Sequence, residues 1–69
     1  MFIFEKKVLR IYHYQDLLHL DGNEIIILFS TFILKIRGKN LSVSFFEKEE
    51  IHIIGEFSSL QWEKKNEKK

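Results

Sequence analysis

The chain has no cysteine and no proline, and only three glycines in 69 residues. Without cysteine there is no disulfide framework and no thiolate site for zinc or an iron–sulfur cluster. Without proline, proline-rich linkers and PxxP-type ligands are excluded. Alanine is also missing, which removes the best helix former. Long apolar runs are absent. The longest unbroken one is residues 25–29; extended to Ile36 it spans twelve residues and already includes Lys35. That is far short of the roughly 20 residues needed to cross a bilayer as a helix. The apolar start is interrupted by Glu5, Lys6 and Lys7 before a signal-peptide core can form. A cytoplasmic chain is expected, peripheral at a membrane only through a partner.

What is present is one small domain of ordinary globular composition, 45% hydrophobic and 30% charged. A chain of this length buries only about 60% of the surface its unfolded form exposes, so help from a partner is expected. The charge is unevenly distributed. Residues 63–69 carry four lysines and two glutamates, whereas residues 1–62 hold seven Lys/Arg against eight Asp/Glu. Three segments follow: an N-terminal extension at 1–7, a β domain at 8–62, and a charged disordered tail at 63–69, with residues 64–69 lacking fixed contacts. The net-acidic body argues against duplex nucleic acid, whose affinity comes mainly from neutralised phosphates.

Period-two alternation dominates. Leu34, Ile36, Leu41, Val43 and Phe45 alternate with Lys35, Arg37, Ser42 and Ser44, and Ile51 and Ile53 flank His52. Such alternation over short runs marks half-buried strands. Apolar pairs begin at Leu9, Leu17, Ile26, Leu34, Val43, Ile51 and Leu60, in steps of eight and nine. One strand plus one tight turn fills each step. The fold class is therefore all-β, a single small antiparallel meander or curled sheet of about six to seven short strands. A short β-roll or solenoid with a 17-residue period is the alternative, because a shift of 17 sets Leu34 on Ile51 and Gly38 on Gly55.

Turn chemistry favours the meander. Gly38-Lys39 reads as a two-residue type II′ loop with Gly38 at positive φ, setting Ile36 opposite Leu41 and Leu34 opposite Val43. Asp21-Gly22 reads as a second loop, pairing Leu17 with Ile26, Leu18 with Ile25 and His19 with Glu24. The polar stretch 47–49 supplies a third turn, and Gly55 a turn or bulge. Lys35, Arg37, Ser42, Ser44, His52 and Glu56 then share a polar face, which Ile27, Phe29, Phe46 and Ile54 interrupt. A single curved sheet of this size cannot cover its own apolar face. Phe29, Phe46 and Ile54 are the candidate interaction residues.

No catalytic constellation is visible. His13, His19 and His52 have no metal-ligand spacing, and Glu49 and Glu50 are adjacent residues that point apart. No enzyme, metal or cofactor is expected. Ten aromatics in 69 residues could stack single-stranded bases, and the lysine-rich tail could assist. A small nucleic-acid-binding β domain is thus the alternative function, although core packing or a protein interface explains the aromatics better.

Residues 49–62, EEIHIIGEFSSLQW, resemble the C-terminal signature of the YabP/YqfC family of small endospore-formation proteins: an acidic pair, an alternating strand, Gly, and a strand ending in an aromatic. Residues 34–41 are similar to the family's strand–Gly–x–Asn–Leu element, and residues 21–25 to its polar turn. Ser30-Thr31-Phe32 departs from the small residue, often glycine, usual before the Leu34 strand. The resemblance implies a non-enzymatic interaction or scaffolding role in sporulation. It also implies partners: a second copy of the chain, a multipass membrane protein of the same programme, or both.

Overall fold

The computed structural model describes residues 2–5 and 7–65, with side chains described from Lys7 onward. It contains six strands and, among the described residues, no helix: β1 (Phe2–Glu5), β2 (Val8–Tyr12), β3 (Asp16–Leu20), β4 (Glu24–Leu28), β5 (Phe32–Glu47) and β6 (Glu50–Lys64). All neighbours are antiparallel, in the order β1-β2-β6-β5-β4-β3. The all-β reading holds as one antiparallel sheet: β3 to β6 follow each other as a meander, whereas β2 pairs with β6 instead of β3. A solenoid would instead stack parallel repeats.

The strands are not all short. Residues 32–47 form one 16-residue strand, and β6 has 15 residues. The expected hairpin at Gly38-Lys39 does not exist. Leu34 pairs with Trp62 and Ile36 with Leu60, and the real hairpin loop is Lys48-Glu49, closed by Glu47 opposite Glu50. Nor does Gly38 lie at positive φ; Gly55 does, at 140°. Gly38 serves close approach instead. A Cβ there would sit 2.0 Å from the Glu56 carbonyl oxygen.

A straight 16-residue strand would span about 50 Å, yet the longest dimension of the molecule is 39 Å. The β5–β6 hairpin must therefore bend, and its ladder shows where. The register shifts at Arg37/Gly38, again between Lys39 and Ser42, and again between Val43 and Phe45. The first shift leaves Ser58 as an extra residue in β6. The second sets Asn40 and Leu41 against Gly55, with Asn40 at φ 54°. Bulges bend a strand and increase its twist, and Asn is among the few non-glycine residues that tolerate the left-handed region. The β3–β4 turn grips the bend. Gly38 N–H donates to the Asn23 carbonyl (3.1 Å), Leu41 N–H to the Gly22 carbonyl (2.9 Å), and Asn23 Nδ2 to the Gly38 carbonyl (3.2 Å).

The bend divides the sheet into two halves. β2 pairs only with residues 50–54 of β6, and β4 only with residues 33–37 of β5. Leu9, Ile11, Ile51 and Ile53 line the inner face of the first half; Ile25, Ile27, Leu34 and Ile36 line the second. All eight are fully buried within one cluster. One sheet layer cannot dry its own face, so complete burial requires the halves to lie over each other. At about 25 cal/mol per Å² of apolar surface, each such side chain contributes roughly 1.5–3 kcal/mol before conformational entropy is counted.

The second loop lies one residue from its expected place. Asp21 N–H donates to the Glu24 carbonyl at 2.9 Å, so Gly22-Asn23 is the two-residue loop. Leu20 then pairs with Ile25, His19 with Ile26 rather than Glu24, and, past a bulge at Leu18, Leu17 with Ile27. Strand structure also extends beyond residues 8–62. Phe2–Glu5 pair with Val8–Ile11 in β1–β2, Lys64 pairs with Phe32, and Lys65 N–H donates to the Thr31 carbonyl at 3.0 Å. Lys64 and Lys65 therefore have fixed contacts, contrary to expectation; the rest of the tail lies outside the described residues.

Candidate interaction surface

Opposite residues in an antiparallel ladder share a face, so the outer surface of the first half can be read in rows across β2, β6 and β5. These rows are Val8–Ile54–Ser42, Arg10–His52–Phe45 and Tyr12–Glu50–Glu47, the last of them reaching β5 where Glu50 faces Glu47. The Phe45 ring stacks on His52 with centroids 4.6 Å apart, and His52 Nε2 lies 2.6 Å from Glu50 Oε2. Phe45 is 39% exposed and Ile54 38%. Arg10 Nε, in the row of His52, is buried with no hydrogen-bond partner among the described residues.

At the hairpin end of this face, a shallow groove of about 400 Å³ is lined by Tyr12, His13, Phe45, Glu47, Lys48, Glu49 and Glu50. His13 sits at φ 61° and donates its N–H to the Glu49 carbonyl at 2.9 Å, which ties the end of β2 to the hairpin. Beneath the tip, the Tyr14 hydroxyl donates to the Glu47 carbonyl at 2.6 Å. Burial, reinforced by the Asp16 carboxylate, raises the Tyr14 pKa above the usual phenol value. Among the described residues, no group of three or more His, Asp or Glu is placed to hold a metal ion.

The three expected interaction residues do not form one patch. Phe29 is only 3% exposed and stacks on Phe32 in the core, with centroids 4.5 Å apart. Its burial, like that of Ile27, corrects the expected polar-face placement: β4 turns Ile25 and Ile27 inward and leaves Ile26 and Leu28 half-buried on the other side. Phe46 is 61% exposed but pairs with Ile51, so it belongs to the inner face and overhangs its rim, 6.4 Å from the Tyr14 ring. Ile54 alone lies on the outer face, between Val8 and Ser42. The extra residue Ser44 exchanges the faces of Phe45 and Phe46, and strict alternation could not foresee it.

Of the turn residues, Asp21 holds the β3–β4 loop. Its Oδ1 accepts the N–H of Asn23 at 2.7 Å and of Glu24 at 2.8 Å, and its Oδ2 lies 3.0 Å from His19 Nε2. Those interactions, the Asn23 N–H foremost, hold its carboxyl below the ordinary aspartate range. Gly38 and Gly55 serve the bend. Exposed Phe45, Leu18, Leu20 and Trp62 were not foreseen as surface residues; the only available signal was the chance that a bulge shifts the phase.

The sequence model of the YabP family matches residues 1–69, the whole chain. The chain belongs to the YabP family. A comparison with curated proteins finds no match. Membership of the YabP family is consistent with a sporulation-related role. No helix among the described residues is long and apolar enough to cross a membrane.

Proposed function

We propose that this YabP-family chain is a non-enzymatic interaction or scaffolding module of the endospore-formation programme. It self-associates or docks on a membrane-protein partner, and works in the cytoplasm, at the membrane surface only through that partner. The observation that carries this reading is the outer face of the first half, where Ile54 and Phe45 remain more than a third exposed within a hydrogen-bonded ladder. Apolar side chains whose neighbours are fixed by strand pairing suit a preformed docking surface. The groove beside Phe45, where Glu47, Glu49 and Glu50 outnumber Lys48, and the placement of Phe45 and Phe46 on opposite faces, weigh against a base-stacking cleft for nucleic acid.

The test combines light scattering over a concentration series with fractionation of sporulating cells. The wild-type chain is expected to form oligomers or to sediment with membranes. Ile54→Ser and Phe45→Ser should weaken that behaviour with an unchanged circular dichroism spectrum, whereas Phe46→Ser, on the other face, should not. A well-folded monomer at high micromolar concentration, found only in the soluble fraction, would refute the proposal. Tight, salt-dependent binding of single-stranded oligonucleotides would favour the nucleic-acid reading instead.

A further inference from the structure

The groove at the hairpin end of the outer face combines aromatic walls with an excess of one charge. Tyr12, Glu50 and Glu47 stand in one row across β2, β6 and β5, and the neighbouring row ends in His52 and Phe45. Glu50 therefore lies on the middle strand, with Tyr12 on the strand to one side and Phe45 on the strand to the other. Phe45, whose ring stacks on His52 at 4.6 Å, keeps 39% of its surface exposed. His13 and the loop residues Lys48 and Glu49 complete the lining.

The charge is one-sided. Glu47 and Glu50 are directly opposite in the ladder, an arrangement of like charges that ordinarily destabilises a strand pair. Glu49 adds a third carboxylate in the loop that these two close. Glu50 lies 2.6 Å from His52 and Glu49 4.0 Å from His13, contacts that carry opposite charge only when the histidine is protonated. Lys48 is the one permanent cation of the lining, and among the described residues it forms no salt bridge. The three carboxylates are not gathered closely enough to hold a metal ion. Spread along a groove, they suit a guanidinium or ammonium group instead, and aromatic faces attract such a cation as well.

We propose that this groove takes an arginine or lysine side chain from a basic cytoplasmic loop of the membrane-protein partner. The inference rests on the docking reading above and gives the partner its chemistry. Cytoplasmic loops of membrane proteins carry an excess of Lys and Arg, so the groove is complementary in charge to the part of such a partner that a peripheral chain would meet. The cation would sit between Glu47 and Glu50 and relieve their opposition. The apolar stem of the side chain would lie along Phe45, continuous with the exposed surface that leads to Ile54.

Nuclear magnetic resonance titration of the full chain tests this with a capped Gly/Ser peptide containing arginine as the probe, beside the same peptide with glutamine for arginine. The arginine peptide should move the amide signals of Tyr12, His13, Phe45 and residues 47–50, and the glutamine peptide should not. Glu47→Gln with Glu49→Gln should raise the dissociation constant about fivefold with an unchanged fold. Glu56→Gln with Glu63→Gln removes the same charge outside the groove and should leave binding as in wild type. Equal weakening by the two double variants, or equal binding of the glutamine peptide, would overturn the inference. So would truncation after Lys65 moving the same signals without peptide, because the occupant would then be the chain's own lysine tail. If the arginine peptide does not bind while Ile54→Ser still abolishes oligomers or membrane sedimentation, the docking face survives and only the cation groove falls.

Discussion

Gly38→Ala is the most demanding test of the bend. The new Cβ would stand 2.0 Å from the Glu56 carbonyl oxygen, 2.9 Å from its carbonyl carbon and 3.0 Å from the Phe57 Cα. All three are backbone atoms of the paired strand, so no side chain can rotate aside. Relief requires β5 and β6 to separate at the point where three register shifts already concentrate the curvature. Overpacking of this kind costs about 1–3 kcal/mol. Separation also threatens the Gly38 N–H bond to Asn23 and the Asn23 Nδ2 bond to Gly38, at about 1 kcal/mol each. The total is about 3–5 kcal/mol. A domain of this length holds about 3–10 kcal/mol in all, at 0.05–0.15 kcal/mol per residue. With a shift of about 4–8 °C per kcal/mol for small domains, the melting temperature should fall by more than about 12 °C, or the variant should fail to fold. Thermal unfolding followed by circular dichroism is the assay. A melting temperature within about 3 °C of wild type would show that the strands do not approach this closely and that the bend lies elsewhere.

Gly22→Ala is the control: a Cβ at Gly22 meets nothing within 4 Å, so stability should stay within about 0.5 kcal/mol of wild type in chemical denaturation. Asp21→Asn should flatten the acid limb of stability. Because the folded carboxyl titrates below its ordinary range, its contribution is present above the unfolded pKa near 4 and is lost as pH falls through the lower folded value; melts at pH 7 and pH 2.5 should therefore differ less in the variant than in wild type. Ile27→Ala, at a fully buried position, should cost about 2–5 kcal/mol. Phe46→Ser, at the exposed rim, should cost less than about 1 kcal/mol, and equal costs for these two would contradict the assignment of the inner face.

Local pattern determined the strand content, the antiparallel pairing in one sheet, the Lys48-Glu49 turn region, and the burial of Leu34, Ile36, Ile51 and Ile53, whereas the placing of β2 beside β6 came from the folded sheet. Period-two alternation is a property of each strand by itself, and it survives whatever the neighbours are. The family was legible in residues 34–41 and 49–62. Other features were decided by contacts that join residues far apart in the chain. A glycine marks both a tight turn and a close approach, and Gly38 looked like the first. What makes it the second is the backbone of Glu56, eighteen positions away. Face assignments failed for the same reason. One extra residue reverses the side on which everything after it points, so the bulge at Ser44 moved Phe46 to the inner rim and brought Phe45 out to the face that carries Ile54. Phe29 and Ile27 are buried because the second half of the sheet folds over the first, and no alternation within β4 could announce that. The sequence determined which residues prefer strands, while the folded sheet decided which faces are covered, because burial depends on what lies opposite.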